Sequence, residues 1–455
     1  MNFNPSIFRA YDIRGIAYED LSEDLVVSIG KALGTLILRR GLDGINIGRD
    51  GRLSSPDMFR WITEGITSTG CNVVDLGIIP TPLLYFSTHM LKYQNGVVIT
   101  GSHNSSEYNG FKIVVDNKSL FGEEIQTIKK IIESLDFSEG NGKKEEDKII
   151  EAYIKELTSN IKLKRSVKVV IDCGNGATSV LAKECYEKLE CEVIDLFSNL
   201  DGNFPNHHPD PSKPENMKDL IEKVISTDAE IGIAFDGDGD RLGVVSAKGE
   251  IIYPDMQMIL FSQQVLKRKQ GSKIVYDVKC SKLLPESITK NGGVPIISKT
   301  GHSFIKNKIR QVSAALGGEM SGHIFFNDRW PGFDDAIYSG ARMLEIISIQ
   351  EEGVDLFDSL PQLTSTPEIN IETEDEKKFG YVEEFKSLMN FPEADVLDID
   401  GVRVEFDYGW GLLRASNTSP VLVLRFEAIN EDNLEKIKEK FRNVLGKIDP
   451  QLKKF

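Results

Sequence analysis

Apolar residues recur along the first two-thirds of the chain in two alternating rhythms. Leu25, Ile29, Ala32, Leu33 and Leu36 follow Ser22, Glu23 and Asp24 at helical spacing and stop at Gly41, which predicts a capped amphipathic helix. INIGRD (45–50), NVVDLG (72–77) and GVVITGS (96–102) are short apolar runs and predict buried strands, with helical patterns such as PDMFRWITEGITSTG between them. VKVVIDCGNG (167–176), AEIGIAFDGDGD (229–240), SKIVYDVK (272–279) and VPIISKT (294–300) repeat the design. Each strand ends in glycine, aspartate, serine or lysine, and a helix is expected to follow. This alternation predicts mostly parallel sheets covered on both faces, one α/β unit used three times, with ligands at the carboxyl ends of strands.

The rhythm changes after TSTPE (364–368). EINIETE, a helix, the strand runs VLDIDGVRVEF and PVLVLRFEA, and an amphipathic helix from Glu431 predict an α+β unit with an antiparallel sheet. Breaks at the polar stretch 138–148, at YPD (253–255) and near 364–368 divide the 455 residues into four expected domains: 1–148, 149–252, 253–365 and a smaller 366–455.

Composition narrows the class. Apolar runs fall far short of the roughly 18–20 residues of a membrane span, and the amino terminus lacks the basic and apolar stretches of a secretory signal, so a cytoplasmic location is expected. The cysteines are Cys71, Cys173, Cys185, Cys191 and Cys280, an odd number without a C-x-x-C pair, which predicts reduced, packed thiols rather than a zinc site or disulfides. A net charge of −16 argues against nucleic acid or an anionic membrane as partner. An acidic chain that binds a phosphate ester must concentrate positive charge locally.

FDGDGDR (235–241) is the sharpest chemical signal. Asp236, Asp238 and Asp240 directly follow an apolar strand, and Gly237 and Gly239 let the backbone turn their oxygens toward one point. Three carboxylates so close ask for a hard divalent cation. The competing structural reading is a solvated acidic turn or a calcium loop, but an EF-hand is excluded because its twelfth position would be Ala247. TGSHNSSEYNGFK (100–112) puts Ser102 at a strand end as a candidate nucleophile, with His103 and Lys112 nearby; the bland alternative is a polar turn capping a helix. GWGLLRASNTSPVLVLRF (409–426) sets Arg414, Ser416, Asn417 and Thr418 in a candidate anion loop that could equally be a hydrophilic hairpin tip. FRAYDIRG (8–15) supplies Arg9, Tyr11 and Arg14; DVKCS and KTGHS supply Lys279 and His302; GEMSGH supplies Glu319, Ser321 and His323. GRDGR (48–52) reads as a brace for neighbouring loops, and HHPDP (207–211) as a rigid loop without a ligand role.

Taken in order, these eight elements (FRAYDIRG, GRDGR, TGSHN with NGFK, FDGDGDR, DVKC, KTGHS, GEMSGH, RASNTSP) resemble the α-D-phosphohexomutase family along essentially the whole chain. The resemblance implies a heart-shaped molecule, three α/β domains and one α+β domain around a central cleft. It implies that Ser102 carries a phosphoryl group, that Asp236, Asp238 and Asp240 with a phosphoserine oxygen bind Mg2+, and that Arg241 steadies the transferring group. Lys112 and His323 match general acid/base groups, while His103 and Arg14 line the site. Glu319 and Ser321 match contacts to sugar hydroxyls, Tyr11, Lys279 and His302 further substrate contacts, and Arg414, Ser416, Asn417 and Thr418 the grip on the non-reacting phosphate. The implied reaction interconverts hexose 1- and 6-phosphates through a hexose 1,6-bisphosphate, in a monomer or weak dimer whose partner is a small sugar phosphate. SerSer after TGSHN, where relatives often carry proline, and the TSP ending of the phosphate loop are the departures. RASNTSP and the methionine of GEMSGH favour the mannose/glucose subgroup over glucosamine mutases. The rival readings are a phosphoglucosamine mutase, a Mg-dependent sugar phosphatase, which would leave TGSHN without a task, and a sugar-phosphate-binding regulator.

Overall fold

Strand pairing in the computed structural model, which describes residues 3–417 and 419–455, reproduces one small pattern three times. In the first unit β1 (Ile13–Ile16), β2 (Gly44–Arg49), β3 (Asn72–Ile78), β4 (Gly96–Ile99), β5 (Tyr108–Val115), β6 (Lys118–Ser119) and β7 (Lys144–Glu146) share one sheet. Its helices are α1 (Glu23–Arg39), α2 (Ser55–Thr67), α3 (Thr81–Met90) and α4 (Glu123–Ser134). Within that sheet, β3-β2-β4 are parallel and β5 closes on β4 antiparallel. β8 (Lys168–Asp172), β9 (Glu192–Leu196), β10 (Ile231–Phe235) and β11 (Leu242–Ser246) repeat the order as β9-β8-β10-β11, again two parallel pairings and one antiparallel, with α5 (Ile149–Asn160), α6 (Ala182–Glu187) and α7 (Lys218–Thr227) beside them. The third copy is β13-β12-β14-β15, from β12 (Lys273–Asp277), β13 (Val294–Ser298), β14 (Leu316–Gly318) and β15 (Ile324–Phe326). Its helices are α8 (Pro254–Arg268), α9 (Leu283–Lys290), α10 (His302–Val312) and α11 (Ala336–Ile347).

The sequence rhythm predicts a helix after each apolar strand. After β4 and β10 an antiparallel strand follows instead, because Ile113, Val114 and Val115, and Val244 and Val245, are β-branched residues suited to a pleated, buried surface. This departure places both reactive loops at hairpin tips rather than at helix starts.

The last unit is antiparallel throughout: β16 (Thr364–Ser365), β17 (Ile369–Glu372), β18 (Asp395–Leu397), β19 (Val402–Phe406), β20 (Gly409–Ala415) and β21 (Val421–Ala428), with α12 (Lys378–Leu388) and α13 (Glu431–Ile448). The three α/β units and the antiparallel unit are thus the architecture the pattern predicts. Phe385, Phe426 and Phe441 fill the core of the fourth unit, and a larger apolar core runs continuously through the second and third and takes in Leu83, Phe86 and Val98 of the first, so burial joins the three α/β units. All five cysteines are buried and unpaired in disulfides. No helix among the described residues is long and apolar enough to cross a membrane.

Candidate active site

The hairpin tips of the three α/β units converge. Beyond β4 the chain turns sharply: Ser102 adopts a left-handed backbone (φ 50°), an uncommon conformation for a residue with a side chain, and its N–H donates to Thr100 Oγ1 at 2.8 Å. From there Ser102 Oγ donates to Asp236 Oδ2 at 2.9 Å, 134 positions away in sequence, and lies 3.2 Å from His103 Nδ1.

Asp236 directly follows β10, and its Oδ1 accepts the N–H groups of Asp240 and Arg241, which curls the loop around the carboxylates. Gly239 (φ 76°) supplies the backbone conformation this curl needs. Asp238 Oδ2 accepts from Thr81 Oγ1 at 2.6 Å and from Lys112 Nζ at 2.6 Å, and Lys112 also bonds Asp240 Oδ2. Lys112 is on β5, opposite Val98, so the hairpin that presents Ser102 also presents the ammonium. All three aspartates are fully buried.

Burial pushes Asp236 well above the ordinary carboxylate range, and the charges of Asp240 and Asp238 push it further. Burial acts in the same direction on Asp240, but the Lys112 ammonium and His323 outweigh it and hold Asp240 well below that range. Oδ1 of Asp238 is buried without a hydrogen-bond donor among the described residues, and one oxygen from each aspartate fits within a 4.8 Å cluster. Three buried carboxylates gathered at one point, with Asp238 Oδ1 still lacking a donor, are a donor set suited to a hard divalent cation.

The third tip meets the second. Arg241 forms an isolated antiparallel bridge with His323, and Leu242 N–H donates to the Gly322 carbonyl at 3.0 Å. His323 Nε2 lies 3.2 Å from Asp240 Oδ1, and its Nδ1 lies 3.1 Å from Glu319 Oε2 and 2.9 Å from Ser321 Oγ. Burial lowers the affinity of His323 for a proton, but Asp240 and Glu319 prevail and raise it to about 9. His103 is driven the other way, well below its ordinary value, by burial and then by Arg241 and Arg14. Of this pair, His323 is therefore cationic at neutral pH and His103 neutral.

A cavity of about 1050 Å³ opens in front of these groups. The first unit contributes Tyr11, Arg14, Ser102, His103 and Lys112 to its wall. Arg14 donates to Asn104 Oδ1 and pairs with Asp12, and Tyr11 packs edge-on against His302, ring centroids 5.1 Å apart. Arg241 enters from the second unit, and Lys279, His302, Glu319, Ser321 and His323 from the third. The fourth contributes Arg414, Ser416 and Asn417; Thr418 lies outside the described residues. The aspartate trio sits behind Ser102 and Lys112 rather than on the open wall. All the other described candidates read from sequence border this one space.

Sequence reasoning passed over the carboxylates that hold the cations. Lys279 pairs with Glu368 at 2.5 Å, and Arg414 Nε donates to Asp400 Oδ2 at 3.0 Å. Asp334 holds Lys306 at 3.0 Å and lies 3.4 Å from His302, and Asp210, in the HHPDP run, faces Arg241 at 4.0 Å. Thr81, at the start of α3, was missed as well. A single acidic or hydroxyl residue in a loop carries no pattern; only the HHPDP run stood out, and it suggested rigidity alone.

Four family models match the chain in succession: the phosphoglucomutase/phosphomannomutase alpha/beta/alpha domains I, II and III over residues 5–139, 151–249 and 253–365, and the C-terminal domain over 368–444. The chain is 50% identical over 448 residues to a phosphomannomutase/phosphoglucomutase of Pseudomonas putida (98% of this chain, 97% of the relative). It is 47% identical over 443 residues to a phosphoglucomutase of Neisseria gonorrhoeae (96% of each). Among solved structures, a phosphoglucomutase/phosphomannomutase family protein of Burkholderia thailandensis superimposes with a TM-score of 0.95 at 44% identity, covering 99% of both chains.

Proposed function

The chain belongs to the phosphoglucomutase/phosphomannomutase family, and we propose that it interconverts hexose 1-phosphates and hexose 6-phosphates of glucose and mannose, with Ser102 as phosphoryl carrier. The observation that carries this reading is the 2.9 Å contact between Ser102 Oγ and Asp236 Oδ2. It sets a hydroxyl from one domain against a carboxylate trio from another. The domains are taken as 1–148, 149–252, 253–365 and 366–455, each contributing residues to the cavity wall.

The phosphoryl group leaves Ser102 Oγ for the free hydroxyl of a bound hexose monophosphate, and the hydroxyl's proton ends on the serine oxygen. The product of this half-reaction is a hexose 1,6-bisphosphate. After turning over in the cavity it offers its other phosphate to Ser102, and the same exchange runs backward. Such transfer depends on alignment and on neutralising the phosphoryl oxygens.

Asp236, Asp238, Asp240 and an oxygen of phosphorylated Ser102 would hold Mg2+, which when bound neutralises charge on the phosphoryl oxygens. Lys112 and Arg241 bring fixed cations to the same side, and His323 holds a proton beside them. Glu319 and Ser321 suit sugar hydroxyls, Tyr11, Lys279 and His302 line the sugar's path, and Arg14 and His103 flank Ser102. Arg414, Ser416, Asn417 and Thr418 receive the phosphate that is not reacting. The net charge of −16 does not oppose this, because the cations are gathered in the cleft.

The test is Ser102→Ala in bisphosphate-primed assays with glucose 1-phosphate, mannose 1-phosphate and glucosamine 1-phosphate side by side. The variant is expected to take up no phosphate and to lose nearly all turnover. Substantial mutase activity in Ser102→Ala would overturn the proposal, and release of inorganic phosphate by the wild-type protein in place of an isomerised ester would mark a phosphatase.

A further inference from the structure

The loop that presents Ser102 has almost no secondary-structure partners, yet its carbonyls are satisfied. One side chain does most of this. Arg52, from GRDGR, is completely buried, and each of its five N–H groups has an acceptor. Nε donates to Asp50 Oδ2 at 3.1 Å. Nη1 donates to the carbonyls of Ser105 (2.5 Å) and Tyr108 (3.0 Å), and Nη2 to those of Ser102 (2.7 Å) and Asn104 (2.6 Å). Four loop carbonyls thus converge on one guanidinium, the Ser105 carbonyl accepting the Tyr108 N–H at 3.0 Å as well.

The surroundings are shaped to the same end. Asp50 also accepts the Gly101 N–H at 3.2 Å, so the carboxylate and guanidinium grip the loop from both ends of its backbone dipoles. A side chain at Gly101 would meet Arg52 Cζ at 2.4 Å, so only glycine lets the loop lie against the arginine. Phe204, from the second unit, covers the guanidinium with its ring 5.1 Å away. On its other side the Ser102 carbonyl touches the aspartate loop, where a Cβ on Gly237 would stand 2.4 Å from it. The peptide of Ser102 is therefore pinned between Arg52 and the carboxylate loop it must face.

We infer that Arg52 is the positioning residue of the phosphoryl-transfer step: by drawing the carbonyls of residues 102, 104, 105 and 108 onto one planar fork, it holds Ser102 in the left-handed conformation that aims Oγ at Asp236. The inference rests on the reading of Ser102 as phosphoryl carrier. Lysine cannot replace the arginine, since an ammonium has three donors and no planar fork for five acceptors.

The experiment compares Arg52→Lys and Ser102→Ala with the wild-type full-length protein, primed with glucose 1,6-bisphosphate. Turnover is divided by the phosphorylated fraction, read by intact-mass spectrometry. A displacement of the nucleophile by about 1 Å costs on the order of 100-fold in rate. Folded Arg52→Lys is expected to lose about that factor in kcat per phosphorylated serine, with KM for glucose 1-phosphate within about threefold of wild type. A purely structural role would lower the melting temperature and the active fraction but leave kcat per phosphorylated serine unchanged, and that result overturns the inference. Should Arg52→Lys fail to fold, hydrogen exchange on the wild type decides. The Gly101, Asn104 and Tyr108 amides are expected to be strongly protected, and exchange at the rate of exposed chain overturns the brace. Turnover retained in Ser102→Ala would instead remove the carrier reading itself; a dead Ser102→Ala beside a wild-type-like Arg52→Lys removes only the inference.

Discussion

Buried charges in this protein come with partners, and the partners set when the charge is present. His207, half-buried, follows the same rule outside the cavity wall. Its Nε2 lies 2.9 Å from Asp172 Oδ2 and its Nδ1 2.9 Å from the His208 carbonyl, an acceptor on each nitrogen that only an imidazolium can serve at once. Burial pulls its proton affinity down, but the Asp172 bond and charge, the His208 carbonyl and more distant Asp219 raise it above the ordinary value. A group whose folded pKa is raised stabilises fully below its unfolded pKa, about 6.5 for histidine, and that contribution disappears as pH climbs through the folded value. The gap in stability between wild type and His207→Gln should therefore be widest below about pH 6.5 and narrow as pH rises above it. Thermal melts across that range check it, and a gap that holds constant or grows with pH refutes the assignment. The same logic of partners explains what could be read from sequence at this scale. Ser102, the aspartate trio and Arg414 were legible because their chemistry demands unusual residue types in unusual density. Asp400, Glu368 and Asp334 were not, since each becomes meaningful only when folding brings a cation to it.

At the scale of elements, the three α/β units share the order β3-β2-β4-β5, β9-β8-β10-β11 and β13-β12-β14-β15. In each, the connection between the last two strands carries chemistry: Ser102 in the first, the aspartates in the second, Glu319 to His323 in the third. The strands β2, β4, β8, β10 and β12 were visible as apolar runs. By contrast, β1 is interrupted by Arg14 and Gly15, β14 and β15 are three residues long and β5 opens with the polar Tyr108 and Asn109, too little for a periodic signal. The repeat itself lies in backbone pairing, which many sequences satisfy, so side-chain identity does not reveal it. The first unit depends on a close helix crossing. A Cβ on Gly65 of α2 would stand 2.1 Å from the Val27 carbonyl of α1, and one on Gly30 2.4 Å from the Ile62 carbonyl. Alanine is favoured over glycine inside a helix by about 1 kcal/mol, but overpacking a close contact costs roughly 1–3 kcal/mol, and here the contact is backbone that cannot swing away. Gly65→Ala should accordingly lower stability by about 2 kcal/mol, read from urea unfolding, while kcat per phosphorylated Ser102 is unchanged. A more stable variant would show that the two helices can separate freely.

For the molecule as a whole, the antiparallel unit must be held so that a cation far from Ser102 in sequence faces the same cavity. Its buried arginines do this by gripping the third unit's backbone. Arg403 donates to the carbonyls of Val278 and Cys280, both at 2.7 Å, while Arg425 bonds the Lys279 carbonyl and pairs with Asp255 at 3.1 Å. Trp410 lies under the Arg403 guanidinium, 3.8 Å from ring centroid to Cζ. The turn that carries Lys279 is therefore fixed by the same unit that carries Arg414. Asp400 adds a second tie, since its Oδ2 accepts both the Thr300 N–H and Arg414 Nε at 3.0 Å. A phosphate arriving at Arg414, on the cavity wall, meets a guanidinium already oriented by Asp400, which takes Nε at 3.0 Å and Nη2 at 3.5 Å. Arg414→Ala leaves the chemistry at Ser102 in place and removes that grip. Hydrogen bonds to a charged group contribute roughly 1.5–3 kcal/mol, so KM for a hexose 1-phosphate should rise about 10- to 100-fold while kcat changes by less than about threefold. Steady-state kinetics with the bisphosphate-primed enzyme give both numbers. A kcat that falls with KM unchanged would mean that Arg414 is engaged only during phosphoryl transfer, and the distant phosphate would then have to be held by some other part of the fourth unit.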